Sequence, residues 1–190
     1  MFPSHDPRAR READHVPDCY FTWFRRNSHR WFRKYATLYQ ALEIGLNNYT
    51  KLLWIDSDCV FKSQLTEETI CRNFFADDTE REVDLLYLKN RRRVLEAGFV
   101  GYNIGCCHIR GYALLKEIFE LYQSGKFKRL FRWDDCYTLQ KIGLSGRYRS
   151  RDLCHGIDRS NHSDVFRYSQ LEPFIKHNKG RHGRKLGLMK

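Results

Sequence analysis

The chain has 190 residues, 42% of them hydrophobic and 15% aromatic, enough to bury a core and to exclude a disordered protein. No apolar run is long enough to span a bilayer, and no signal-like segment follows Met1. Seven cysteines without a CxxC exclude a disulfide framework and a zinc knuckle, and point to reduced thiols in a cytoplasmic protein. A formal charge of +11 attracts polyanions, but it does not choose among nucleic acid, phosphorylated nucleotides, acidic glycans and an anionic membrane surface.

The chain is expected to form one domain over residues 1–190, with residues 1–19 polar, charged and loosely ordered. Tyr20–Phe24 is a short aromatic run that could be a strand. From Ser28 the spacing turns helical. Trp31, Tyr35, Leu38, Tyr39 and Leu42 recur every three or four residues, with Arg30, Arg33, Lys34 and Gln40 read as off that face. Gly45, Asn47 and Asn48 stop the helix, and an apolar strand, Leu52–Ile55, follows at once. Thr66-Glu67-Glu68 opens a helix running to about Phe75. Val83–Leu88 is the next strand, followed by a basic loop, Lys89–Arg93. The stretch Glu96–Gly105 holds three glycines in eight residues, which predicts a bulged strand or close backbone approach, and Cys106–Ile109 reads as a short strand. Leu114, Leu115, Ile118, Leu121 and Tyr122 mark a helix ending near Gly125. A last helix starts at Asp134-Asp135 and ends at Gly143. The remainder reads as irregular, basic and rich in histidine. The alternation of helix and strand predicts an α/β fold with a single, mainly parallel mixed sheet and helices on both faces.

The stretch with the clearest chemistry is Lys51–Phe61, KLLWIDSDCVF. Its apolar strand ends in two acids one residue apart, Asp56 and Asp58. Carboxylates this close repel each other unless a cation or a proton is shared between them. A hard divalent ion bridging carboxylate and phosphate oxygens relieves that repulsion at the carboxyl end of a strand, where α/β sheets bind ligands.

Four features follow in order: Asp56-Ser-Asp58, Tyr102-Asn103-Ile-Gly105, Asp134-Asp135 and His177-Asn-Lys-Gly180. This order resembles the A-type (GT-A) fold of nucleotide-sugar glycosyltransferases, most closely the glycogenin and galactosyltransferase-like branch. The resemblance covers roughly residues 30 to 185. It implies a DxD that holds manganese (or magnesium) on the donor diphosphate, with Asp56, Asp58 and His177 as metal ligands and Asp56 also at the donor ribose. It further implies that Asn103 and Gly105 face the donor sugar in the same cleft as the DxD, and that Asp134 or Asp135 lies near the reacting centre. The partners implied are a nucleotide-sugar donor and a glycan, lipid-linked or protein acceptor. The middle acidic pair is Asp-Asp rather than the family's Asp-Gln. Gly183 stands where the family has a lysine, so Lys179 or Lys185 would take its place. Only 55 residues precede Asp56, which implies a shortened N-terminal nucleotide-binding region.

The residue types suit such a site. A divalent ion and nearby cations, here Lys179, Arg181, Arg184 and Lys185, stabilise charge on a departing diphosphate. Oxygen ligands with one imidazole suit manganese better than a soft metal. Glu96 is a candidate acceptor contact, and His155 and His162 are second candidates for the metal. Two other readings compete. Asp56-Ser-Asp58-Cys-Val60 also resembles the DxDx(T/V) of haloacid-dehalogenase phosphatases, with Asp56 as nucleophile, although no strand ending in Ser or Thr stands between the two acidic motifs. A non-catalytic basic module would need aromatics interleaved with its cations, and Trp31 and Tyr35 instead fit a buried face, which disfavours nucleic acid.

Overall fold

The helical spacing after Ser28 becomes an 18-residue helix, α1 (Ser28–Gly45), in the computed structural model, which describes residues 28–45, 48–76, 82–89, 95–105, 109–154 and 165–178. Tyr35, Leu38 and Leu42 form its buried stripe, and Tyr39 stacks on Phe119 with ring centroids 4.4 Å apart. At its end the Gly45 carbonyl accepts from Asn48 N and Tyr49 N at 2.9 and 3.0 Å, which turns the chain into β1 (Lys51–Ile55). The chain then forms β2 (Cys59–Phe61), β3 (Leu85–Lys89), β4 (Leu95–Asn103), α2 (Ile109–Gln123), α3 (Asp135–Gly143), β5 (Ser150–Asp152) and β6 (Ile175–His177). Thr66 starts the second predicted helix, its Oγ1 accepting from Thr69 N at 3.1 Å. The segment winds as a π-helical turn, Thr69–Phe74, in which Phe75 N donates to Ile70 O. The predicted Cys106–Ile109 strand falls largely outside the described residues, and at Ile109 the chain is already helical. Residues 1–19 and Tyr20–Phe24 also lie outside them.

The fold is mixed α/β, with a central sheet ordered β1-β4-β3-β5. The sheet is mixed rather than mainly parallel, which corrects the sequence-based expectation: β4 runs antiparallel to both β1 and β3, and only β3 and β5 are parallel. Chain length explains the reversal. Five residues separate Lys89 from Leu95, too few for the crossover that parallel neighbours require. Helices α1, α2 and α3 cover one face, with Leu114, Leu115, Ile118, Leu139 and Ile142 packed on Leu85, Val100 and Tyr102. The other face is closed by Phe74, Phe75, Phe166, Leu171 and Ile175. Among the described residues no helix is long and apolar enough to cross a membrane.

The glycine-rich strand shows both predicted features. Leu86 pairs with Gly101 but Leu88 with Glu96, so β4 bulges between them. A Cβ on Gly101 would stand 3.0 Å from Leu53, Leu86 and Phe75 side chains. Gly111 of α2 is tighter still, since a Cβ there would overlap the backbone carbonyl of Asn103. Alanine for glycine inside a helix ordinarily stabilises by about 1 kcal/mol. Gly111→Ala is expected to do the opposite, lowering stability by about 1–3 kcal/mol through forced separation of α2 from β4. Urea denaturation reads the sign directly, and a gain would show that the two backbones are not in contact.

Candidate active site at the end of the DxD strand

The two acids of the DxD part company at the end of β1. Asp56 N still belongs to the sheet, donating to Gly98 O at 2.9 Å, and the chain then turns tightly, with Cys59 N donating to Asp56 O at 3.1 Å. Trp54 Nε1 donates to Asp56 Oδ1 at 2.5 Å, and Lys34 Nζ lies 3.8 Å from the same oxygen. Asp58 points elsewhere. Its Oδ1 is 3.1 Å from His177 Nε2, with the carboxylate half-exposed and the imidazole buried. Strand pairing makes this contact, because β6 runs antiparallel to β2 with His177 opposite Cys59, and Asn178 N donates to Asp58 O at 2.9 Å. Cys59 Sγ, an Asp58 oxygen and a His177 nitrogen all lie within 4.8 Å of one another; Asp56 is not among them. Burial, followed by the charges of Asp58 and Asp56, raises the Cys59 thiol to about 11.

Lys34 joins Asp56 to the second acidic motif. Its Nζ donates to Asp135 Oδ2 at 3.0 Å and to the carbonyl of Ala97, which the β4 bulge brings within reach, and it sits 5.0 Å from the centre of the Trp54 ring. It is buried, contrary to the expectation that it lies off the apolar face of α1. The sequence holds the signal: position 34 is three residues from Trp31 and four from Leu38, on the buried stripe, and only its charge argued otherwise.

The two acids called catalytic have different surroundings. Asp135 faces Lys34 and thereby the end of the DxD strand. Asp134 is the N-cap of α3, with Oδ1 accepting from Tyr137 N at 3.0 Å and Oδ2 from Arg132 Nε at 2.8 Å, so both oxygens are engaged. Asp134, Asp135 and Cys136 also lie within 4.8 Å of one another, but Arg132 and Lys34 already balance both carboxylates. Burial is the main influence on Asp134 and raises its pKa above the ordinary 3.8, against the opposing pull of Arg132. The folded state therefore holds this proton more tightly than the unfolded chain. That favours folding below the ordinary carboxylate range and penalises it as pH rises through the raised value. Asp134→Asn, which can still cap α3, is expected to flatten that part of the stability–pH curve. Denaturation midpoints measured from pH 3 upward in both proteins test this, and parallel curves would refute it.

Asn103 and Gly105 are not brought to this site. Lys51 pairs with Asn103 and Ile55 with Phe99, so Asn103 lies at the start of β1 and the DxD beyond its end. The five residues from Lys51 to Asp56 put them on the order of 17 Å apart along the sheet. The predicted shared cleft of the DxD and Asn103 therefore does not form. In an antiparallel pair, moving forward along β4 means moving back along β1. Asn103 is fully buried there, accepting from Lys51 Nζ at 3.0 Å and donating to Glu82 at 2.7 Å, while Gly105 packs on Thr50. The glycine beside the DxD is Gly98, where a Cβ would stand 3.4 Å from Asp56 Oδ2. Two residues earlier, Glu96 is half-buried at the same end of β4. After burial and the nearer aspartates, its charge also raises both the Cys59 and the Cys136 thiols, placing it near both acidic groups. Lys179, Gly180, Arg181, Gly183, Arg184, Lys185, His155 and His162 lie outside the described residues.

A crystal structure of a glycosyltransferase involved in the glycosylation of the major capsid of PBCV-1 superposes on this chain with a TM-score of 0.50. The match covers 81% of this chain and 74% of that one, at 14% sequence identity. The chain shares its fold with that glycosyltransferase. No protein-family model matches the sequence, and no curated protein matches it.

Proposed function

We propose that the protein is a metal-dependent glycosyltransferase that moves a sugar from a nucleotide-diphosphate donor to a glycan, lipid-linked or protein acceptor. Within the glycosyltransferase fold, the observation that carries this reading is the pairing of Asp58 with His177 at the end of the DxD strand. The donor set fits a divalent ion. A half-exposed carboxylate and a buried imidazole converge, and the imidazole Nδ1 has no hydrogen-bond partner among the described residues. Asp58 and His177 would hold manganese or magnesium, with Asp56 completing the set or meeting the donor ribose. When bound, such an ion stabilises the charge that develops on the departing nucleoside diphosphate.

The protein's own groups do the rest. Lys34 and Trp54 fix the Asp56 carboxylate, and Lys34 holds Asp135 toward the same end of the sheet. Asp135, rather than the fully engaged Asp134, is assigned to the reacting sugar. The backbone of Glu96–Gly98 replaces Asn103 and Gly105 as the sugar-facing segment, and Lys179 or Lys185 remains assigned to the diphosphate. Cys59, Cys71, Cys136 and Cys154 are free thiols, in keeping with a cytoplasmic setting.

The test is a thermal-shift screen of nucleoside diphosphates and nucleotide sugars, with and without manganese. A ligand of the native state raises the melting point by mass action, so at least one donor should stabilise the protein only when metal is present. No shift from any nucleotide sugar would end this reading. Phosphate release from simple monoesters, abolished by Asp56→Asn, would transfer the assignment to a phosphatase.

A further inference from the structure

Cys59 has no part in the reading above, yet its sulfur completes the Asp58–His177 cluster. Cys59 and His177 are directly opposed in the antiparallel β2–β6 pair, so their side chains stand together on one face. Asp58 reaches the same point from the turn before β2, bringing one oxygen, one sulfur and one nitrogen within 4.8 Å of one another. The imidazole is held in place: 4% of its side chain is exposed, and its ring centre is 4.5 Å from that of Phe166. Its Nε2 faces Asp58 at 3.1 Å, and its buried Nδ1 has no hydrogen-bond partner among the described residues. Hard ions take oxygen ligands, whereas sets of thiolate, imidazole and carboxylate belong to zinc.

We propose that Asp58, Cys59 and His177 form a zinc-class site. The third donor distinguishes it from a site for a hard ion alone. On binding, the Cys59 thiol releases its proton to solvent and the thiolate becomes a ligand, so each zinc ion taken up displaces one proton. The consequence rests on the transferase reading: zinc and the donor's hard ion share Asp58 and His177, so zinc occupancy excludes the ion the reaction uses.

Cobalt(II), a coloured stand-in for zinc, is titrated into the full chain without any nucleotide. The expected result is a near-ultraviolet sulfur-to-cobalt charge-transfer band, bleached by added zinc, absent in Cys59→Ser and retained in Cys71→Ser. Zinc affinity should fall by at least about tenfold in Cys59→Ser, the lower range seen when even an outer partner of a metal site is lost. In the unmutated protein, saturating zinc should also protect Cys59 from alkylation, mapped by peptide mass. A band that survives Cys59→Ser, or alkylation of Cys59 that zinc does not slow, overturns the proposal. These outcomes are separable from those of the transferase reading. Absent donor binding with the band intact removes that reading alone, and donor binding without the band removes this one.

Discussion

Lys34→Met is expected to destabilise the protein by about 3–5 kcal/mol, the range seen when one partner of a buried ion pair is removed. The lysine and Asp135 side chains are 6% and 10% exposed, so water cannot take over the role of the lost ammonium. The substitution also leaves the Ala97 carbonyl without its buried donor and removes the cation facing Asp56. Methionine matches the aliphatic stem, so lost packing contributes little. Chemical denaturation of Lys34→Met, Asp135→Asn and the double variant measures the coupling. Most of the loss should be recovered when Asp135 is neutralised as well. A single-variant loss under about 1 kcal/mol would show that Lys34 does not carry this charge balance.

Asp58→Ala and His177→Ala should each reduce turnover of a nucleotide sugar by at least roughly a hundredfold, about 2.7 kcal/mol of transition-state stabilisation. Either change removes one of the two groups that converge at the end of the DxD strand. Asn103→Ala serves as the contrast. Its side chain bonds Lys51 and Glu82 at the other end of β4, so it should cost stability while leaving donor affinity unchanged. Steady-state kinetics on the three variants, each checked for folding, separate the assignments. Full activity in His177→Ala, or loss of donor affinity in Asn103→Ala, would reverse the map of the site.

What could be read from the sequence was what local pattern controls. The stripe Tyr35, Leu38 and Leu42 specified α1, Gly45 its end, the apolar run before Asp56 the strand β1, and Asp134 the cap of α3. The five-residue link from Lys89 to Leu95 already required β3 and β4 to be antiparallel. The direction of β1 against β4 was not legible, because an apolar run reads alike whichever way its neighbours point. The short strands β2, β5 and β6 carry three residues each, and it is their partners that define them. Within the site, Asp58 and His177 were named from the family resemblance and do meet, although 118 residues lie between them. Asn103 was named from the same resemblance, and the antiparallel register carried it to the far end of the sheet. Lys34 was passed over because a lysine on a helix is ordinarily solvated. The Ala97 carbonyl, the acids at positions 135 and 56 and the Trp54 ring make its burial tolerable.

Calorimetric titration of a nucleoside diphosphate into the unmutated protein and into Asp58→Ala, each with and without manganese, tests the central claim most directly. The account predicts binding in the unmutated protein that requires manganese, and no such manganese-dependent binding in Asp58→Ala. Equal binding by the two proteins, or binding indifferent to manganese, would contradict it.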